Sequence, residues 1–214
     1  MPPKNLITAG IIVLATLFPI KKIEAGVTGR VEYIQSEHHE NSYARASASY
    51  NLPLNVSGFT FSEFYKAGDG YYGITYLEKP VLGSLNARLR LQHDNDPLSQ
   101  AVTGLSFNAP GLPKGVFAQT YYDALWFLPK GNRITDKSFL GYFVSVDLPK
   151  GFQVKSFGEW NVADRSGAKW DYGELSLGKR FGLFTFSYNP SLRPKTKDRL
   201  LPLLEHRASA KISF

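Results

Sequence analysis

Cysteine is missing from all 214 residues, and methionine occurs once. The first absence excludes a disulfide-stapled scaffold, a thiolate metal site and a cysteine nucleophile. Histidine is scarce as well, limited to His38, His39, His93 and His206. After Gly26 no useful stretch repeats apolar residues at helical spacing. The one long apolar run, "LITAGIIVLATLFPI" at 6–20, is short for a spanning helix, which needs about 20 such residues. Aromatic residues are plentiful instead, at 14% of the chain and mostly Phe and Tyr rather than Trp.

The apolar run fits an export leader. Lys4 supplies the positive start, 6–20 the apolar stretch, and Ala25 a small residue for cleavage before Gly26. Lys21, Lys22 and the bulky Ile23 are unusual there, and a retained anchor helix is the alternative. Residues 1–25 are thus expected to be a signal peptide and 26–214 the mature domain. Cleavage lowers the basic and acidic counts from 25 and 18 to 22 and 17, a formal charge of +5. That modest excess permits small anionic partners, and no nucleic-acid partner is expected.

Alternation with period 2 dominates the mature chain. Strands are expected at about 26–36, 42–51, 55–67, 71–79, 84–94, 100–108, 115–128, 136–148, 152–162, 170–181, 183–190 and 204–214. In "LNARLRLQHD" (85–94), Leu85, Ala87, Leu89 and Leu91 oppose Asn86, Arg88, Arg90 and Gln92. Connections alternate strictly between two kinds. Short turns rich in Pro or Gly include "NLPLN" (51–55), "LPKG" (148–151) and "RFG" (180–182). Longer polar loops include "SEHHENS" (36–42), "DNDPLSQ" (94–100) and "PSLRPKTKDRLLP" (190–202). Twelve strands of 9–11 residues, with turns at one end and loops at the other, predict an all-β, antiparallel, up-and-down transmembrane barrel.

Sidedness follows from charge. One face of the strands carries Arg30, Glu32, Arg45, Arg88, Arg90, Asp123, Lys155, Glu159, Glu174, Arg180, Arg207 and Lys211, and the other is nearly free of charge. A membrane barrel turns its apolar face to lipid and its polar face to the lumen. Aromatics near strand ends, among them Tyr33, Tyr50, Phe64, Tyr65, Tyr72, Tyr76, Trp160 and Trp170, are expected to form the interfacial girdles. A soluble lipocalin-like barrel or sandwich is the competing arrangement. Within the barrel, Arg30, Arg45, Arg88, Arg90, Lys155, Arg180, Arg207 and Lys211 are the candidates for an anion path, since guanidinium forks suit carboxylates. Arg88 and Arg90 stand on one face about 7 Å apart. The same lumen holds acids, so internal ion pairing of a filled barrel is the alternative use of these charges.

The closing "EHRASAKISF", with alternating apolar residues and a terminal Phe, resembles the C-terminal signal of Gram-negative outer-membrane barrels, carried here by Ile212 and Phe214. More narrowly, "AGVTGRVEY" followed by "SYARASAS", then "LNARLRLQHD" and the closing segment, resemble the twelve-stranded porins for oligogalacturonate and sialic acid. The twelve-stranded nucleoside transporters are an open alternative. The resemblance implies a monomeric outer-membrane channel for passive diffusion of small anionic solutes such as acidic oligosaccharides. It implies membrane lipid, lipopolysaccharide and the barrel-assembly machinery as partners, with no cofactor and no enzymatic activity. A non-conducting structural, adhesion or assembly barrel, or an outer-membrane lipid-modifying enzyme, are the alternatives. No Ser- or His-centred segment resembles the phospholipase signature, so no catalytic residue is assigned. Asp94 and Asp96 in "HDNDP" are weak oxygen ligands for a cation and suit a turn equally well.

Overall fold

The computed structural model describes residues 26–37, 42–65, 70–94, 100–127, 138–162, 167–193 and 203–214. The expected leader, His38, His39, Asp96, the side chain of Asp94 and residues 194–202 lie outside this description. The strands are β1 (Thr28–Ser36), β2 (Tyr43–Leu52), β3 (Val56–Tyr65), β4 (Tyr71–Leu82), β5 (Leu85–Asp94), β6 (Gln100–Asn108) and β7 (Val116–Phe127). They continue with β8 (Phe139–Asp147), β9 (Phe152–Asn161), β10 (Lys169–Phe181), β11 (Phe184–Tyr188), β12 (Ser191–Arg193), β13 (Leu203–Glu205) and β14 (Arg207–Ser213).

Neighbours in sequence pair antiparallel from β1 to β10. β11 and β12 both pair with β10 and together make one stave; β13 and β14 make another, and β14 pairs back onto β1. The result is a closed antiparallel barrel of twelve staves. Closure removes the unpaired edges that lipid would not tolerate.

Two staves are interrupted at the same level. Pro190 has no N–H to give to the ladder, yet its carbonyl still accepts from the Leu175 N–H at 3.0 Å. Across from it, the His206 N–H turns to the Glu37 carboxylate at 2.9 Å. The longest connection, expected from residue 190, therefore begins later, because Ser191–Arg193 and Leu203–Glu205 extend the wall. β4 likewise continues past its expected end at 79, through Pro80, with a register shift between Pro80 and Leu82.

The short turns gather at one end of the barrel. Leu52-Pro53-Leu54-Asn55 and Leu148-Pro149-Lys150-Gly151 form similar turns, each with two residues at positive φ: Leu54 and Asn55, Lys150 and Gly151. Proline presets the first turn residue, and Asn or Gly tolerates the left-handed exit. At the seam, the Gly29 N–H donates to the Phe214 carbonyl at 2.9 Å and the Phe214 N–H donates to the Gly29 carbonyl at 3.0 Å. The Phe214 ring lies over Gly29, where an added Cβ would come within 2.4 Å of it. Glycine there leaves room for the outward ring against the first strand.

Outward positions carry the exposed apolar side chains, including Leu105, Phe107, Leu140, Leu175, Leu177, Phe184, Phe186 and Phe214. Tyr142, Trp160 and Trp170 pack together on the outer wall, tilted and edge-to-face, with ring centroids 5.8 and 4.8 Å apart. The girdle expectation needs one correction. Tyr65, Tyr72 and Tyr76 share the inward phase of Glu63 and Glu78 and line the lumen. Inside, they meet acids and cations: Tyr65 donates to Glu63 and Tyr76 lies against Arg88.

Candidate functional site: the charged lumen

All eight candidate basic residues occupy inward positions, but the structure sorts them into two kinds. Arg45, Arg88, Arg90 and Arg207 are engaged by acids. Arg30, Lys155, Arg180 and Lys211 form no ion pair with any described residue.

The first paired cluster joins β4, β5, β7 and β9. Arg88 reaches Glu78 at 2.9 Å and Asp123 at 3.3 Å. Arg90 reaches Glu159 at 2.9 Å and Asp123 at 3.7 Å. Asp123 has no exposed surface, and Arg88 and Arg90 retain only 7% and 6%. The Arg88 guanidinium lies between two rings, 4.2 Å from the Tyr76 centroid and 4.0 Å from that of Tyr121. This sandwich explains why Tyr76 points inward: the ring faces attract a partly desolvated cation. The Tyr121 hydroxyl donates to Glu159 at 2.7 Å and Gln119 donates to Glu78 at 3.0 Å. Arg90 and Glu159 stand on β5 and β9, four staves apart, so their bond cuts a chord across the bore.

Local backbone geometry makes room for Asp123. Asp123 shares the inward phase of Gln119 and Tyr121 and faces Gly104, where the β6–β7 register then shifts toward Thr103. A Cβ on Gly104 would sit 2.1 Å from the Tyr122 carbonyl oxygen. A residue with no side chain beside the bulge thus leaves the space in which the carboxylate meets both arginines.

The second cluster joins β1–β3, β10 and β12–β14. Arg45 pairs with Glu63 at 2.6 Å and approaches Glu32 at 3.9 Å. Arg207 pairs with Glu205 at 2.7 Å and Glu174 at 3.5 Å, and donates to the Tyr172 hydroxyl at 3.1 Å. Glu205 is fully buried and also accepts from Ser36, across the barrel seam. Arg193 approaches the same carboxylate at 3.3 Å. In both clusters acids outnumber arginines by one, so neither cluster has a cation to spare for a solute.

The unpaired cations occupy the other part of the wall. Arg30 faces Ser213 and Ser47 in the ladders of β1, and Lys211 lies between Glu32 and Thr185. Arg180 lies opposite Thr185, and Lys155 between Ser145 and Ser176. They therefore cover an arc from β9 through β14 to β1, toward the short-turn end. The charged neighbours of Lys155 are Lys211, Arg30, Glu32 and Asp147. With Lys155 itself, three cations stand against two acids there, a net positive local charge.

The remaining candidates are placed as follows. Ile212 and Phe214 take outward phase on the closing strand, alternating with Lys211. His93 lies on the outward face of β5, opposite Gly73. His206 stacks on Tyr188, whose hydroxyl meets its Nδ1. Among the described residues no three His, Asp or Glu side chains converge as metal ligands. Sequence reasoning missed the inward tyrosines, Glu63 and Glu78. The ladder offers the only signal for them: Tyr76 opposes Arg90, and Glu63 opposes Arg45.

No protein-family model and no curated protein matches the sequence. Solved structures do match the fold. A KdgM porin aligns over 87% of this chain and 98% of its own, with a TM-score of 0.56 and 8% identity. A KdgM porin in complex with disordered oligogalacturonate aligns over the same shares, with a TM-score of 0.58 and 7% identity. A NanC porin aligns over 88% and 99%, with a TM-score of 0.54 and 10% identity. At these identities the likeness is one of fold: a small closed antiparallel barrel.

Proposed function

We propose that residues 26–214, after removal of the 1–25 leader, form a monomeric outer-membrane channel through which small anionic solutes diffuse passively. The observation that carries this reading is the segregation of charge. Arg30, Lys155, Arg180 and Lys211 face the lumen without an ion-pair partner among the described residues, whereas the other four candidates are consumed by acids. Unpaired cations lower the electrostatic barrier for an anion, and paired ones do not. The barrel's likeness to a porin solved with oligogalacturonate supports acidic oligosaccharides as the first solutes to test. The exposed outer belt fits membrane lipid and lipopolysaccharide. The closing strand, with Ile212 and Phe214, is offered as the element that the assembly machinery recognises. No catalytic role is assigned in this reading.

Planar-bilayer recording of the refolded mature chain is the test. Stepwise conductance with an anion-selective reversal potential is expected, and Lys155→Gln with Lys211→Gln should move that potential toward zero. A second reading has its own observation, the Arg90–Glu159 bond that spans four staves. A bore crossed by such bonds suits a non-conducting structural barrel. Absence of steps above the bilayer background would favour it and end the channel proposal.

A further inference from the structure

The short-turn mouth has a second wall, opposite the unpaired cations. A cavity of about 480 Å³ opens there between the ends of β2, β3, β4, β5 and β6, a volume within the usual range for small-molecule sites of about 300–1,000 Å³. Four asparagines line it: Asn51, Asn55, Asn86 and Asn108. Two of them are held in place by neighbours. Asn86 is nearly buried and donates to Ser106 at 3.3 Å, which leaves its carbonyl oxygen as an acceptor. Asn108 accepts from Gln119 at 2.8 Å, which leaves its amide hydrogens as donors. Asn51 and Asn55 stand exposed at the rim.

The one ionised group in the lining is already neutralised. The two oxygens of Glu78 accept from Arg88 at 2.9 Å and Gln119 at 3.0 Å. The site therefore offers fixed amide donors and acceptors without free charge. Such groups match a hydroxyl, which gives and takes a hydrogen bond at the same oxygen. Leu52, Val56 and Pro80 add apolar surface beside them, suited to the C–H face of a sugar ring.

We infer that this cradle is a binding site for uncharged polyhydroxylated solutes, neutral mono- or disaccharides, separate from the cationic arc. It does not require the barrel to conduct. A neutral sugar has nothing to gain from Lys155 or Lys211, and a free carboxylate finds no cation in the cradle.

Calorimetric titration of the refolded mature barrel in detergent, with maltose as the probe, tests this. Saturable binding with a Kd of about 1 mM is expected, the weak affinity of a small polar ligand. Asn108→Leu should weaken it at least about tenfold, the loss of about 1.4 kcal/mol. The rim variant Asn51→Ala with Asn55→Gly should do the same; its glycine keeps the left-handed backbone of Asn55 and leaves the buried cluster untouched. Lys155→Gln with Lys211→Gln should leave maltose binding unchanged. Absence of saturable heat, binding that survives both asparagine variants, loss of binding in the lysine variant, or displacement of maltose by equimolar glucuronate would each overturn the assignment. A barrel that binds maltose but passes no current leaves this site standing while the channel proposal fails.

Discussion

Arg90 offers the sharpest test of what the paired charges do. Its guanidinium contacts Glu159 at 2.9 Å and Asp123 at 3.7 Å and is only 6% exposed. Arg90→Ala removes the cation and keeps both acids. Glu159 is left with the Tyr121 hydroxyl, and Asp123 with Arg88 alone. Breaking a buried pair from one side costs about 3–5 kcal/mol, because the surviving charge stays desolvated. The ring faces of Tyr76 and Phe139, 5.9 and 5.8 Å away, add less than about 1 kcal/mol at that distance. A loss of about 3 kcal/mol is therefore expected. With a urea slope of about 1–3 kcal/mol/M, the midpoint should fall by roughly 1–3 M. Tryptophan fluorescence of the barrel refolded in lipid vesicles reads this directly. Glu159→Gln paired with Arg90→Met should cost less than the sum of the two single changes, with a coupling of about 0.5–3 kcal/mol. Additive single losses, or an Arg90→Ala midpoint indistinguishable from the parent, would refute a built-in ion pair across the bore.

Three further perturbations address other parts of the wall. Gly104→Ala places a Cβ against the Tyr122 carbonyl and should destabilise by about 1–3 kcal/mol through overpacking, read as a lower urea midpoint. Gly29→Val should displace the Phe214 ring from the first strand, and deletion of Phe214 should remove its hydrogen bonds with Gly29. Both should lower the folded fraction seen as the heat-modifiable band on gels, with the deletion showing the larger loss. Glu205→Gln should weaken the tie between Ser36, Arg193 and Arg207. Its expected cost is about 1–3 kcal/mol, again as a midpoint shift.

Much of the fold was legible because a single physical rule acts on every strand. Side chains alternate between the outer face and the lumen, so the charged phase of "LNARLRLQHD" reports its own orientation. The turn and loop classes then order the strands without reference to distant contacts. The charge pairing was not legible, because it depends on residues far apart in the chain. Arg90 and Glu159 are 69 positions apart, and Ser36 and Glu205 are 169 apart. Nothing local separates Arg88, which is paired, from Lys155, which is not. The stretch "YYGITYLEK" failed for another reason: Tyr72, Ile74 and Tyr76 alternate with Tyr71, Gly73, Thr75 and Leu77, so neither face is clearly apolar. Only its ladder with β5, which sets Tyr76 against Arg90, reveals the inward side.

The division between paired and unpaired charge also fixes how far the cationic arc can act. Buried ion pairs roughly break even against apolar packing, so the arginine–acid clusters are better understood as struts that fix the shape of a narrow bore than as a source of net stability. Unpaired cations nearer the mouth are half-buried or exposed, and so more open to screening by salt. At about 0.15 M salt the screening length is about 8 Å, so the arc influences an ion inside the mouth but little beyond it. At 1 M it shrinks to about 3 Å, less than the spacing of two positions along a strand. If selectivity arises from Arg30, Lys155, Arg180 and Lys211, the anion-to-cation permeability ratio should fall steeply between those two salts while conductance steps persist. Reversal potentials measured across a fixed gradient at rising mean salt provide the series. A ratio that holds constant to 1 M would mean that the selecting charge lies in the dehydrated clusters, with Arg88 and Arg90, and not in the arc.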